Sequence, residues 1–165
     1  ILSGLVGSEM CIRDSDKVEG KMAILERRDK NAVAYLTLNA PKRLNALSDE
    51  MIADLQTTFD GFYSDKSVRA VVLAGAGKAF CAGHDLKQMT EARKQPDGGA
   101  AVFKNLFDRC ATFMQTIQKI PQPVIAQVHG IATAAGCQLV STCDLEIASE
   151  ETKFGGNGVN IGLFC

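Results

Sequence analysis

Two short segments hold the residues whose types and spacing best suit chemistry: Ala79 to Lys87 (AFCAGHDLK) and His129 to Leu139 (HGIATAAGCQL). Each places Gly and Ala where an apolar run gives way to a helical pattern. Small residues let a ligand approach the main chain, and a helix start offers unpaired N–H groups at the positive end of the helix dipole. Two such starts facing one point would form an oxyanion hole for a carbonyl oxygen that gains charge during acyl chemistry. A plainer reading is that Gly and Ala only permit tight strand-to-helix packing, and either segment alone leaves the two readings balanced. An imidazole in water titrates near neutrality, which suggests His84 as a general base, but a base must also reach the substrate carbon, so the His84 backbone N–H is the stronger candidate. His129, which precedes Gly130 at a strand end, reads as structural.

Other chemistries fit poorly. Around Gly75 a Walker A loop would need Gly at Val72 and Ser or Thr at Ala79, and a dinucleotide fingerprint would need Gly at Phe80. The six cysteines (Cys11, Cys81, Cys110, Cys137, Cys143 and Cys165) form no CxxC pair, and with only two histidines no metal site is expected. Set within apolar segments, these thiols read as small buried hydrophobes of a reducing, intracellular compartment. A net charge of -1 leaves no basic face for nucleic acid. No apolar run approaches the roughly eighteen residues that a membrane span requires.

The elements that must position these segments follow from periodicity. At 165 residues with 46% hydrophobic side chains, the chain can bury one core. Residues 1–21, beginning ILSGLVGSEMCIRDS, read as a foreign or disordered leader, being neither signal nor transit peptide. Alternating runs Ala23 to Arg28 and Val33 to Asn39 flank Asp29-Lys30-Asn31, the pattern of a hairpin. After the loop NAPKRLNALS, Ser48 caps a helix whose Met51, Ile52, Leu55, Phe59 and Phe62 form one apolar face. Arg69 to Ala74 and Val124 to Val128 read as strands, the first buried on both sides, and each feeds one of the two Gly/Ala segments. Between them, Thr90 to Gly99 reads as a mobile loop that could gate a site. The next helix carries Phe103, Leu106, Phe107, Cys110, Phe113, Met114, Ile117 and Ile120 on a core stripe that Pro121 and Pro123 end.

NAPKRLNALS, AFCAGHDLK and HGIATAAGCQL occur in the order and spacing of the enoyl-CoA hydratase/isomerase (crotonase) family, and from Met22 onward the chain resembles it. The resemblance implies an α/β crotonase-like spiral of ββα units, truncated at the C-terminal side, with residues 22–165 forming the N-terminal part of an acyl-CoA-binding domain. It implies that the backbone amides of His84 and Ala135 grip a thioester oxygen. It also implies that Lys42, Ala46, Ala82, Asp85, Leu86 and Lys87 line the path of CoA and adenine. Lys42 as a solvated loop lysine is an equal alternative. The partner would be acyl-CoA, with no cofactor beyond the CoA moiety, and the full-length protein would form a homotrimer or dimer of trimers. A role in fatty acid metabolism follows, mitochondrial in a eukaryote and cytoplasmic otherwise.

The sequence departs from the family at both acid/base positions. One usual glutamate is Gln138, which can position a water but cannot take its proton, and the other aligns with Gly158. Ordinary hydration is therefore not expected. A lyase or isomerase relying on the oxyanion hole, a non-catalytic acyl-CoA-binding module and a structural subunit all stay open. Asp144, Glu146, Glu150 and Glu151 read as solvated or salt-bridged carboxylates. Val159, Ile161, Leu163 and Phe164 form an apolar run that expects a covering layer, and the family's later helices are missing.

Overall fold

The computed structural model describes residues 23–162. The expected leader, Cys11 and Cys165, and the last apolar residues Leu163 and Phe164 lie outside them. Strands β1 (Leu25–Lys30) and β2 (Val33–Leu38) pair antiparallel, and β3 (Ala70–Gly75), β4 (Val124–Val128) and β6 (Leu145–Ala148) extend the sheet in parallel, in the order β1-β2-β3-β4-β6. A small parallel sheet pairs β5 (Ile131–Thr133) with β7 (Lys153–Gly155). The helices are α1 (Asp49–Phe62), α2 (Leu86–Ala92), α3 (Ala100–Lys119) and α4 (Ala135–Thr142).

The helical stripes lie where periodicity places them. Ser48 caps α1 by accepting from the Met51 N–H at 3.3 Å, and all five expected residues of that face are buried. The α3 stripe meets α1 through an edge-on contact of Phe113 with Phe59 at 5.4 Å, and Phe59 also packs edge-on against Phe62 within α1 at 5.6 Å. Full burial of each such ring contributes about 2–3 kcal/mol. Beneath the helices lies one face of the sheet, formed by Ala34, Leu36 and Leu38 of β2, Val71 and Leu73 of β3, and Val124, Ala126 and Val128 of β4.

Four details differ from the sequence reading. The hairpin turns at Asn31 and Ala32 (φ 53° and 61°), with Lys30 paired to Val33, because a two-residue turn whose central residues both have positive φ matches the twist of the strands. Strand β3 is buried on one face only; Val72 and Ala74 are half-buried on the other, beside Tyr35, which is 37% exposed. Thr90 to Ala92 finish α2, and the turns that follow are hydrogen-bonded rather than a free loop. There the Asp97 carboxylate accepts from Gly99 and Ala101 N–H at 2.9 Å each, which holds its carboxyl below the usual range. Strands β5 and β7, of three residues each, were not foreseen as separate elements because their ladder rests on backbone contacts that leave little side-chain pattern.

Candidate active site

The loop before α1 builds the floor of the first corner. Leu44 and Asn45 are left-handed (φ 51° and 53°), which turns the fully buried Asn45 side chain inward. Its amide donates to the carbonyls of Ala76 and Ala79 at 2.9 and 2.8 Å and its oxygen accepts from Ala40 N–H at 2.9 Å, so the loop is fastened to the segment after β3. Backbone bonds from Ala82 to Leu44 (3.0 Å) and from Leu47 to Gly83 (2.8 Å) lay the loop alongside AFCAGHDLK. Asp85, within that segment, caps α2 by accepting from Lys87 and Gln88 N–H at 2.9 and 3.2 Å, and forms an ion pair with Arg43.

The second corner is stitched to the first. Phe80 donates to His129, Cys81 to Ile131, and Thr133 back to Cys81, each at 3.1 Å. The α4 start then comes so close that a Cβ on Gly136 would lie 2.3 Å from the Cys81 carbonyl oxygen. Tight packing is therefore one real use of these small residues. The same approach brings the two helix starts together: a Cβ on Gly83 (φ 85°) would lie 3.1 Å from the backbone nitrogen of Ala135. Ala134 is held at φ 51°, ψ −127°, a glycine-like conformation that stores about 1–3 kcal/mol. Its N–H donates to Gly155 at 2.8 Å. Among the described residues, the N–H groups of His84 and Ala135 donate to no backbone or side-chain acceptor.

One cavity of about 210 Å³ is lined by all six residues expected along a CoA path, Lys42, Ala46, Ala82, Asp85, Leu86 and Lys87, together with Arg43 and His84. Lys42 and Lys87 are exposed at its rim, and among the described residues neither takes part in an ion pair. His84 is 6% exposed and packs edge-on against Phe107 of α3 at 5.4 Å, with its Nδ1 enclosed and without a hydrogen-bond partner. Burial pushes its pKa down, partly opposed by the Leu47 backbone, so the ring is neutral at physiological pH. Beneath it, burial raises the Cys81 thiol to about 12, leaving it protonated.

The remaining candidates lie elsewhere. Gln138 is exposed on α4 and does not line this cavity. Gly158 is buried in a 3-10 turn, Asn157–Ile161, beyond β7. Asp144, Glu146, Glu150 and Glu151 are all exposed; Asp144 accepts from Val124 N–H at 2.8 Å and so anchors the start of β4. His129 bonds the Gly77 carbonyl at 2.7 Å, a structural role as expected. Among the described residues, no group of three or more His, Cys, Asp or Glu side chains could hold a metal ion, and no helix is long and apolar enough to cross a membrane. Sequence reasoning missed Arg43, Asn45 and Phe107. Only Asn45, an Asn suited to left-handed backbone between two apolar residues, carried any local signal.

Comparison with known proteins bears on family and fold. A family model described as enoyl-CoA hydratase/isomerase matches residues 28–165. The chain belongs to the enoyl-CoA hydratase/isomerase family. It is 39% identical over 138 residues to the Xenopus laevis enoyl-CoA hydratase domain-containing protein 3, mitochondrial, covering 84% of this chain and 45% of that protein. Among solved structures, an enoyl-CoA hydratase from Mycobacterium smegmatis superposes with TM-score 0.80 at 53% identity, over 87% of this chain and 54% of that one. Human enoyl-CoA hydratase domain-containing protein 3 superposes with TM-score 0.78 at 35% identity, over 87% and 55%. The fold is thus the crotonase-like α/β fold, and the chain spans about half the length of these relatives.

Proposed function

We propose that this chain binds an acyl-CoA thioester, with the carbonyl oxygen between the N–H groups of His84 and Ala135 and the CoA moiety along the cavity from Ala82 to Lys87. The observation that carries this reading is the meeting of the two helix starts at Gly83 and Ala135, beside a cavity rimmed by Lys42, Arg43 and Lys87. Thioester chemistry of the family's class puts negative charge on that oxygen, and two fixed donors in buried residues stabilise it. The three cations suit the phosphates of CoA, and the small Ala46 and Ala82 leave room for a flat ring. As in the relatives' names, the compartment would be mitochondrial for a eukaryotic source; for a bacterial one it would be cytoplasmic.

Binding without hydration is the second reading, favoured by Gln138 and Gly158 at the positions of the usual carboxylates. Titration of butyryl-CoA and crotonoyl-CoA, followed by calorimetry and by the amide nitrogen and proton shifts of His84 and Ala135, tests the proposal. The expected result is saturable binding with large shifts at both amides. Binding that leaves both unmoved would refute the oxyanion assignment, while hydration of crotonoyl-CoA at a normal family rate would refute the second reading.

A further inference from the structure

Resting on the thioester reading above, a second use of His84 emerges from its surroundings. The cavity and the two amides are faced by few groups able to move a proton. Cys81 is fully buried and keeps its thiol proton, and Asp85 is committed to Arg43 and to the cap of α2. The cavity's other charged groups, Lys42 and Lys87, are cations. From α3 the contact is Phe107, whose charged neighbours Lys104 and Asp108 are paired with each other and exposed. From the loop before α1 it is the uncharged Leu47, and the following Asp49 pairs with Arg109. Gln138 and Gly158 have no proton to exchange near neutrality. His84 is left as a buried imidazole with an orphaned Nδ1, and an unsatisfied buried polar atom calls for an explanation.

We infer that the imidazole of His84 takes the C2 proton of the bound acyl thioester. The C2–H electron pair moves into the C1–C2 bond and the carbonyl π pair onto oxygen, giving an enolate held by the His84 and Ala135 amides. Return of the proton from the imidazolium to C2 regenerates the thioester, so no co-reactant is consumed. Reach follows from connectivity: the ring and the oxyanion-binding N–H belong to one residue, and C2 is two bonds from the oxygen that N–H would hold. His84 is itself among the residues that line the cavity, and its Nδ1 has no hydrogen-bond partner among the described residues.

The test is exchange of the C2 protons of butyryl-CoA in D2O, followed by NMR, with the parent chain and with His84→Ala and His84→Gln. Both variants keep the backbone N–H, and Gln holds the ring's space without taking a proton. The expected result is exchange by the parent, lost about 100-fold or more in both variants. The parent rate should also fall at acid pH, and only below the free-imidazole value of about 6.5, because burial lowers the pKa of the folded His84 ring. Undiminished exchange in His84→Gln, or a parent that binds butyryl-CoA without exchanging it, overturns the inference and leaves the binding proposal standing. A parent that binds no butyryl-CoA overturns the binding proposal itself. Thermal unfolding of each variant shows whether a loss reflects misfolding; a folded His84→Gln decides the matter if His84→Ala does not fold.

Discussion

Replacing Gly136 with alanine should disturb the fold and the site together. The added Cβ would stand 2.3 Å from the Cys81 carbonyl oxygen, 2.8 Å from its carbonyl carbon and 2.9 Å from its Cβ. Ordinary C···O approach is about 3.3 Å, so the two main chains must part by about 1 Å. Neither can yield cheaply, because Cys81 is fully buried and bonded to both Ile131 and Thr133. Overpacking costs about 1–3 kcal/mol, and main chain against main chain belongs at the upper end. For a domain of this size that lowers Tm by roughly 6–12 °C. Parting the corners also moves Ala135 N–H from Gly83 and His84, at a loss of about 1 kcal/mol for one hydrogen bond, or about fivefold in Kd for butyryl-CoA. Gly61→Ala is the control. It lies in α1 with nothing near its new methyl, so it should gain about 0.5–1 kcal/mol. Scanning calorimetry and titration calorimetry on the three proteins decide it. An unchanged Tm for Gly136→Ala would refute the packing argument, and a lower Tm with unchanged affinity would refute the coupling to the amides.

Ala134→Gly should raise Tm, because relief of about 1–3 kcal/mol of strain at φ 51°, ψ −127° exceeds the chain entropy that glycine adds; denaturant unfolding checks the sign. Asn45→Ala should cost about 3 kcal/mol or more, since it orphans the Ala76 and Ala79 carbonyls and the Ala40 N–H, and a shift in urea midpoint measures it. Asp85→Ala removes the α2 cap, worth about 0.5–2 kcal/mol, and releases Arg43; a Tm equal to the parent's would contradict the cap. The pH dependence of stability follows from His84, whose folded pKa lies below its unfolded value of about 6.5. As pH falls below that value the unfolded chain takes up the proton first. The imidazole's contribution is therefore intact above about 6.5 and lost progressively toward the lower folded value. His84→Gln should flatten that limb in Tm measured between pH 7.5 and pH 5.

Local pattern in the chain was enough to place the helices and strands that carry the core. Met51, Ile52, Leu55, Phe59 and Phe62 announce α1, and the Phe and Leu stripe announces α3, because burial of one helix face imposes a period that any window displays. The two Gly/Ala corners were legible for a similar reason, as small residues next to a strand end and a helix start mark close backbone approach. What tertiary structure decided was contact across long separations. It paired Arg43 with Asp85, fastened Asn45 under the segment after β3 and buried the His84 ring against Phe107. It also joined Cys81 to Ala132 so that Gly83 meets Ala135. No window of sequence records these pairings, since each joins residues at least 23 positions apart and depends on the whole sheet closing its order. The chain names the residues that can act; only their burial and mutual approach determine which of them share a site.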